Sequence, residues 1–254
     1  MPPEITKILL LALILMLMLA HVVETTLGFG DTIISLAFGL FLFPLDVLLP
    51  ALVALAILQS IWMVIRWHRH VNRRLLLITI LPLAFVGMLG GILIRGYANE
   101  TALLVVLGVF IILVSAVELI GLHIRKSAAG PLPRYLAVPV IVGGGIFHGL
   151  FATGGPVIVY YAGREIHEPQ AFLGTLAVLW LILNMVLYAT MWIAGSAHLQ
   201  SLQLAALVMP GFIAGVVIGS LIKVKELTFK TLTWSVLFIV GMIQLIRALS
   251  GLIN

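Results

Sequence analysis

The sequence predicts an all-α integral membrane protein built from two inverted-topology repeats, each with three full transmembrane helices plus a broken, re-entrant helical pair. Three observations carry this expectation. The 254-residue chain is 63% hydrophobic and 9% charged, with a mean hydropathy of +1.26, too little polar surface for a soluble domain of this length. The chain also reads twice, at a nearly constant offset. Finally, its basic residues gather in particular loops between apolar spans, where they report orientation.

The stretch Thr26 to Pro44 aligns with Phe151 to Pro169 at an offset of 125. That offset pairs Gly30 with Gly155, Ile33 with Ile158, Ala37 with Ala162 and Pro44 with Pro169, then Gln59 with Asn184 and Trp67 with Trp192. After a three-residue gap the register resumes at 128, pairing Pro82 with Pro210, Gly87 with Gly215, Gly91 with Gly219 and Phe110 with Phe238. Each half opens on a hydrophobic segment broken by glycines. In a membrane protein, interrupted segments at corresponding positions of two repeats point to a transport site.

Taken in order, the apolar segments are 5–27 and 32–43, then 47–67, 75–95 and 101–121; the second half has 136–152 and 156–163, then 169–194, 202–222 and 227–252. The three long segments of each half reach the ~20 residues needed to cross ~30 Å of hydrocarbon. Segments 32–43 and 156–163 are too short; at 1.5 Å per residue the longer covers about 18 Å, half a bilayer. Residues Ile8 to Ala20 behind Lys7 have the shape of a short signal sequence. Their match to the segment before Gly154 argues that they stay in the protein.

Loop charge sets the orientation. Arg66 to Arg74 (RWHRHVNRR), Arg125, Lys126, Arg134, Arg164, Lys223, Lys225 and Lys230 are expected on the cytoplasmic side. The 194–201 loop carries no Lys or Arg and is expected outside, with Lys7, Arg95 and Arg247. Segment 47–67 then runs inward and its mate 169–194 outward, so the halves are inverted. Each broken pair must begin and end on one side, and both termini come out periplasmic in the cell inner membrane. The boundaries follow: a first repeat at 1–122, a cytoplasmic linker at 123–135 rich in Gly, Pro and basic residues, and a second repeat at 136–254.

The chemistry concentrates at the two breaks, LGFGDT (27–32) and ATGGP (152–156). A helix interrupted inside a membrane survives only where its freed backbone groups are buried in protein or line a cavity. A short helix starting at Thr32 or Pro156 aims N–H groups and a positive dipole end at that cavity, an anion-suited arrangement. Gly28, Gly30, Gly154 and Gly155 allow close backbone approach, Thr153 adds a hydroxyl, Asp31 fits an N-cap and Pro156 the first helical position. Glycines that merely permit tight helix crossing are the alternative.

Gln59 and Asn184 lie mid-way along equivalent apolar spans. A neutral amide can donate to an oxyanion without fixing charge in the bilayer, or it can hold two helices together. Glu24, one turn before the first break, and His148 at the neighbouring repeat position are candidates for proton coupling, or buried groups bonded to backbone. Arg164 either attracts anions at the cytoplasmic mouth or reports positive-inside topology. The pairs Gly87/Gly91 and Gly215/Gly219 suit close helix contact, between the halves or across a homodimer.

Other classes find little support. Cysteine is absent, which removes disulfides and thiolate chemistry. There is no G-x-S-x-G, H-E-x-x-H or Walker signature, so neither cofactor nor metal is expected. His21, His68, His70, His123, His167 and His198 are scattered or lie in loops. The net charge of +5 belongs to loops of a membrane protein and does not imply nucleic acid. An intramembrane hydrolase would have to use His148 with Thr153; a metal-cation carrier would need carboxylate or His ligands clustered at the breaks. The expected partners are the lipid bilayer and a small anionic substrate.

The two copies, LGFGDTIISLAFGLFLFP and LFATGGPVIVYYAGREIHEP, each a Gly-rich segment followed by a proline and a long span, resemble the sulfite exporter TauE/SafE family. The resemblance covers nearly the whole chain. In the first copy the family's run of glycines is reduced to Gly28 and Gly30, with Asp31 where another glycine often stands. The resemblance implies outward movement of sulfur-containing anions, sulfite or short organosulfonates. Composition and spacing by themselves give only an inverted-repeat carrier suited to anions.

Overall fold

The structure, a computed structural model, describes residues 3–124, 132–221 and 226–253. It is helical throughout those residues. α1 (Pro3–Leu27), α2 (Asp31–Gly39), α3 (Leu45–Trp67), α4 (Arg73–Leu75), α5 (Leu81–Tyr97) and α6 (Glu100–Ile124) come from the first half; α7 (Arg134–Phe151), α8 (Gly155–Glu165), α9 (Pro169–Ile193), α10 (Leu199–Leu221) and α11 (Glu226–Ile253) come from the second. A π-helical turn at Leu76–Ile80 joins α4 to α5, so one rod covers Arg73–Tyr97. Among the described residues, seven helices are long and apolar enough to cross a membrane. Arg125, Lys126, Lys223, Lys225 and most of the 123–135 linker lie outside the described residues.

The breaks form where backbone chemistry stops each helix. α1 ends because Gly28 turns left-handed (φ 81) while its amide still donates to Glu24 O at 2.7 Å, a common helix terminator. α7 ends in the same way on Ala152, φ 55, whose amide donates to His148 O at 2.7 Å. Gly30 (φ 114) precedes α2, so Asp31 is the first helical residue and not the N-cap expected from sequence. Pro156 is the second residue of α8, which starts at Gly155. α2 is shorter than the 32–43 segment because Leu40 to Phe43 form turns before Pro44 caps α3.

Helix pairing crosses between the halves. α5 lies along α7, and α1 along α10. Gly87 abuts Val142 and Gly145, and Gly91 abuts Ile146 and Gly149. Both numbers rise together, so α5 and α7 run parallel. Gly211, Gly215 and Gly219 meet Ile14, Met18 and Val22 in the same sense, so α1 and α10 are parallel too. Two other pairs run the opposite way. Gly174, near the start of α9, sits on Trp67 at the end of α3, where Asn72 N also donates to Thr175 Oγ1 at 2.9 Å. Likewise Gly108 meets Leu245 while Gly241 meets Ile111. α3 with α9, and α6 with α11, are therefore antiparallel. Both small-residue pairs serve contacts between the halves, where backbone approaches backbone closely.

Large apolar side chains cover the outside: Ile65, Ile78, Val86, Leu93 and Ile239 are all exposed, a surface suited to hydrocarbon rather than water. The polar residues turn inward, with His21, Glu24, Asp31, Thr32, Gln59, His148, Thr153 and Asn184 all buried.

Candidate functional site

The two breaks touch. A Cβ built on Gly155 would lie 3.0 Å from Phe29 Cβ, which places the first break directly against the start of α8. Between them is a cavity of about 20 Å³ lined by Glu24, Gly30, Asp31 and Thr32 from the first break, His148, Thr153, Gly155 and Pro156 from the second, and Ala56, Ser60, Trp180 and Asn184 from the middles of α3 and α9. That volume holds about one water.

The two sides of the cavity differ chemically. On the first-half side the start of α2 is already satisfied by acid. Asp31 N donates to Glu24 Oε2 at 3.3 Å, and Thr32 donates its amide and its hydroxyl to Asp31 Oδ1. His21 Nδ1 stands 3.9 Å from Asp31 Oδ2. The positive end of α2 thus faces carboxylates, where the sequence suggested an open anion site. The second-half side is neutral. α8 has no side-chain cap, and Thr153 Oγ1, both His148 nitrogens and Asn184 Oδ1 are buried without hydrogen-bond partners. His148 stacks on Trp180 (centroids 5.5 Å apart, planes at 16°) and lies beside the Asn184 amide. Trp180 Nε1 in turn donates to Gly28 O at 2.9 Å, tying α9 to the first break.

Of the residues singled out from sequence, Glu24, Gly30, Thr32, His148, Thr153, Gly155 and Asn184 line this cavity. Gly28 supports it through the Trp180 bond. Gly154 is a packing position, since its Cβ would lie 2.2 Å from Gly144 O. Gln59 turns aside: its Nε2 donates to Thr25 Oγ1 at 2.7 Å, and its neighbour Ser60 takes the lining position. The two amides occupy equivalent repeat positions but only Asn184 reaches the cavity. Arg164 sits at the far end of α8, about 13 Å along the helix at 1.5 Å per residue, where it donates to Tyr160 OH at 2.7 Å and covers that ring. His148 and Thr153 make no hydrogen bond with each other, so the nucleophile–base pair a hydrolase would need is not formed. Among the described residues no group of three His, Asp or Glu is placed to hold a metal.

Sequence reasoning passed over His21, Trp180 and Ser60. His21 had a usable signal: with Glu24, Thr25 and Gly28 it falls at i, i+3, i+4 and i+7, a polar stripe on an otherwise apolar helix. Trp180 shares a helical face with Asn184, four residues on, but one more aromatic in so apolar a chain carries no separate mark.

Ala152 is the one described non-glycine residue with positive φ. A left-handed conformation costs an L-residue about 1–2 kcal/mol, against roughly 0.5–1 kcal/mol for the extra freedom of glycine in the unfolded chain. Ala152→Gly is therefore expected to raise stability by up to about 1 kcal/mol. A melting curve showing clear destabilisation would contradict that left-handed turn.

Interrupted helices whose breaks line a buried polar cavity are a device that membrane transporters use. The family model for the sulfite exporter TauE/SafE matches residues 13–243; the chain belongs to this family, one of transporters and not of enzymes. No curated protein and no solved structure matches it.

Proposed function

We propose that the protein is a secondary transporter that exports a small sulfur-containing oxyanion, sulfite or a short organosulfonate, through the cavity between the two breaks. The observation that carries this reading is the uncapped start of α8, where Thr153 Oγ1 and both His148 nitrogens are buried without partners beside the Asn184 amide. A hydroxyl, an imidazole N–H and an amide can each donate to an oxyanion, and the α8 dipole favours negative charge at that point. Membership of a sulfite exporter family supplies the sulfur oxyanion. A thermal-shift screen of the purified protein against sulfite, sulfoacetate, taurine, thiosulfate and sulfate tests it. Stabilisation by sulfite or a sulfonate is expected; a melting temperature that none of them moves counts against the reading.

In this account the halves are inverted repeats in the inner membrane, both termini are periplasmic, and the cavity lies near the bilayer midplane. The antiparallel registers of α3 with α9 and of α6 with α11 support inversion, because a two-fold axis in the membrane plane reverses equivalent helices. The parallel pairs α1 with α10 and α5 with α7 agree with the same directions, and so does the basic 66–74 loop against the uncharged 194–201 loop. The chain contains no cysteine, so single cysteines can be introduced without background. Cysteines at His70 and His198 are expected to react with impermeant reagent from opposite sides of the membrane. Labelling of both from one side rules out the inverted arrangement.

A further inference from the structure

We propose that each anion crosses with a proton carried by the Glu24 carboxyl, beside Asp31 at the first break, which makes transport of a monoanion electroneutral. The proposal rests on the anion-transport reading above and adds to it the coupling. Both carboxyls line the cavity and are buried at 7% exposure. Glu24 Oε2 accepts from Asp31 N at 3.3 Å, which sets the two acidic residues side by side.

An inventory of the surroundings shows how little balances them. From α1 comes His21, 3.9 Å from Asp31 Oδ2, with neither ring nitrogen hydrogen-bonded. α3 offers the neutral Gln59 and Ser60, α9 the neutral Trp180 and Asn184, and α7 offers His148 across the cavity. α10 meets His21 with Phe212, and α11 meets α2 with Gln244 and the first break, at Phe29, with Trp234. No lysine or arginine is among the described lining residues. An anion entering this cavity therefore meets two carboxyl groups and no permanent cation. Like charges gathered in an apolar interior repel strongly, and uptake of a proton by Glu24 lowers that repulsion. Thr153, His148 and the Asn184 amide on the opposite wall hold the anion, so anion and proton occupy one cavity and travel together.

Bound charge then cancels. A free monoanion redistributes about tenfold for each ~60 mV of membrane potential, whereas a monoanion accompanied by a proton does not respond to potential. Export on this scheme follows the outward anion gradient, with the proton gradient as its second term.

The test uses wild-type protein in vesicles, with sulfite and with methanesulfonate, which stays a monoanion throughout the pH range used. Flux is followed together with a luminal pH dye, while potassium and valinomycin set the potential. The expected result is methanesulfonate uptake that acidifies the lumen by one proton per anion and is unmoved by potential. Glu24→Gln is expected to abolish that acidification and to flatten a pH dependence that in the wild type approaches tenfold per pH unit. Anion uptake that follows the potential tenfold per ~60 mV without acidification overturns the proton proposal and leaves anion transport standing. Uptake of zwitterionic taurine without a proton, lost in Glu24→Gln, also overturns it, because the carboxylates would then be ammonium ligands. Wild-type vesicles that take up none of these solutes, from protein that melts cooperatively, reject the anion reading itself. Because the electrical measurement needs no substitution, a variant that fails to fold leaves the test intact.

Discussion

Alanine at Gly91 or Gly149 is expected to cost at least about 3 kcal/mol of stability. α5 and α7 run parallel with backbone against backbone. A Cβ at Gly91 would lie 2.1 Å from Ile146 O, and one at Gly149 2.2 Å from Met88 O. Neither neighbour is a flexible side chain, so the helices must part by roughly an ångström or more along their length. Overpacking a core costs typically 1–3 kcal/mol where side chains can yield; here only backbone can, and about 3 kcal/mol is the floor. Separation also gives up the dispersion and Cα–H···O contacts that hold helices together in lipid, where no hydrophobic force between helices replaces them. Gly143 provides the control. It lies on the same helix with nothing within 4 Å of its would-be Cβ, and Gly143→Ala is expected to change stability by less than about 0.5 kcal/mol. Melting curves and monodisperse yield in detergent check both. Gly91→Ala melting like Gly143→Ala would contradict the close parallel contact.

Asn184→Leu is expected to weaken substrate binding by five- to 150-fold. The amide lies at the cavity beside His148, and its Oδ1 is unpartnered; rotation of the amide presents its donor side to an oxyanion. Leucine removes that donor and leaves an anion oxygen unsatisfied, a loss of about 1–3 kcal/mol, and each 1.4 kcal/mol is about tenfold in affinity. Gln59→Leu should behave differently. Its bond to Thr25 holds α3 to α1, so the loss falls mainly on melting temperature. Binding titrations alongside ligand-free melting curves separate the two. If Asn184→Leu loses stability but keeps its affinity for sulfite, the amide is helix glue and leaves the site.

That asymmetry shows how far the sequence could be read. Sequence register pairs Gln59 with Asn184, and both lie mid-way along the antiparallel helices α3 and α9. Register alone does not fix the direction of a side chain: adjacent helix positions differ by 100°, so Ser60 instead of Gln59 faces the cavity. The breaks were legible because Gly28, Gly30, Gly154 and Gly155 stand out inside apolar runs. What happens at each break was less so. The start of α2 reads as an open anion site until Glu24 folds back onto Asp31 N, a contact that depends on where Gly28 and Gly30 turn the chain. Gly87 and Gly91 announced a close contact, but their partners Gly145 and Gly149 became visible only with the crossing of α5 and α7 in place.

Efflux of sulfite from proteoliposomes, measured with labelled sulfite inside and a full mass balance, tests the transport function most directly. Vesicles with wild-type protein are expected to release intact sulfite in a saturable way, and vesicles with Asn184→Leu to need at least about fivefold more for half-saturation. Sulfite retained by well-folded wild-type protein, or consumed inside without reaching the medium, would contradict a sulfite transporter.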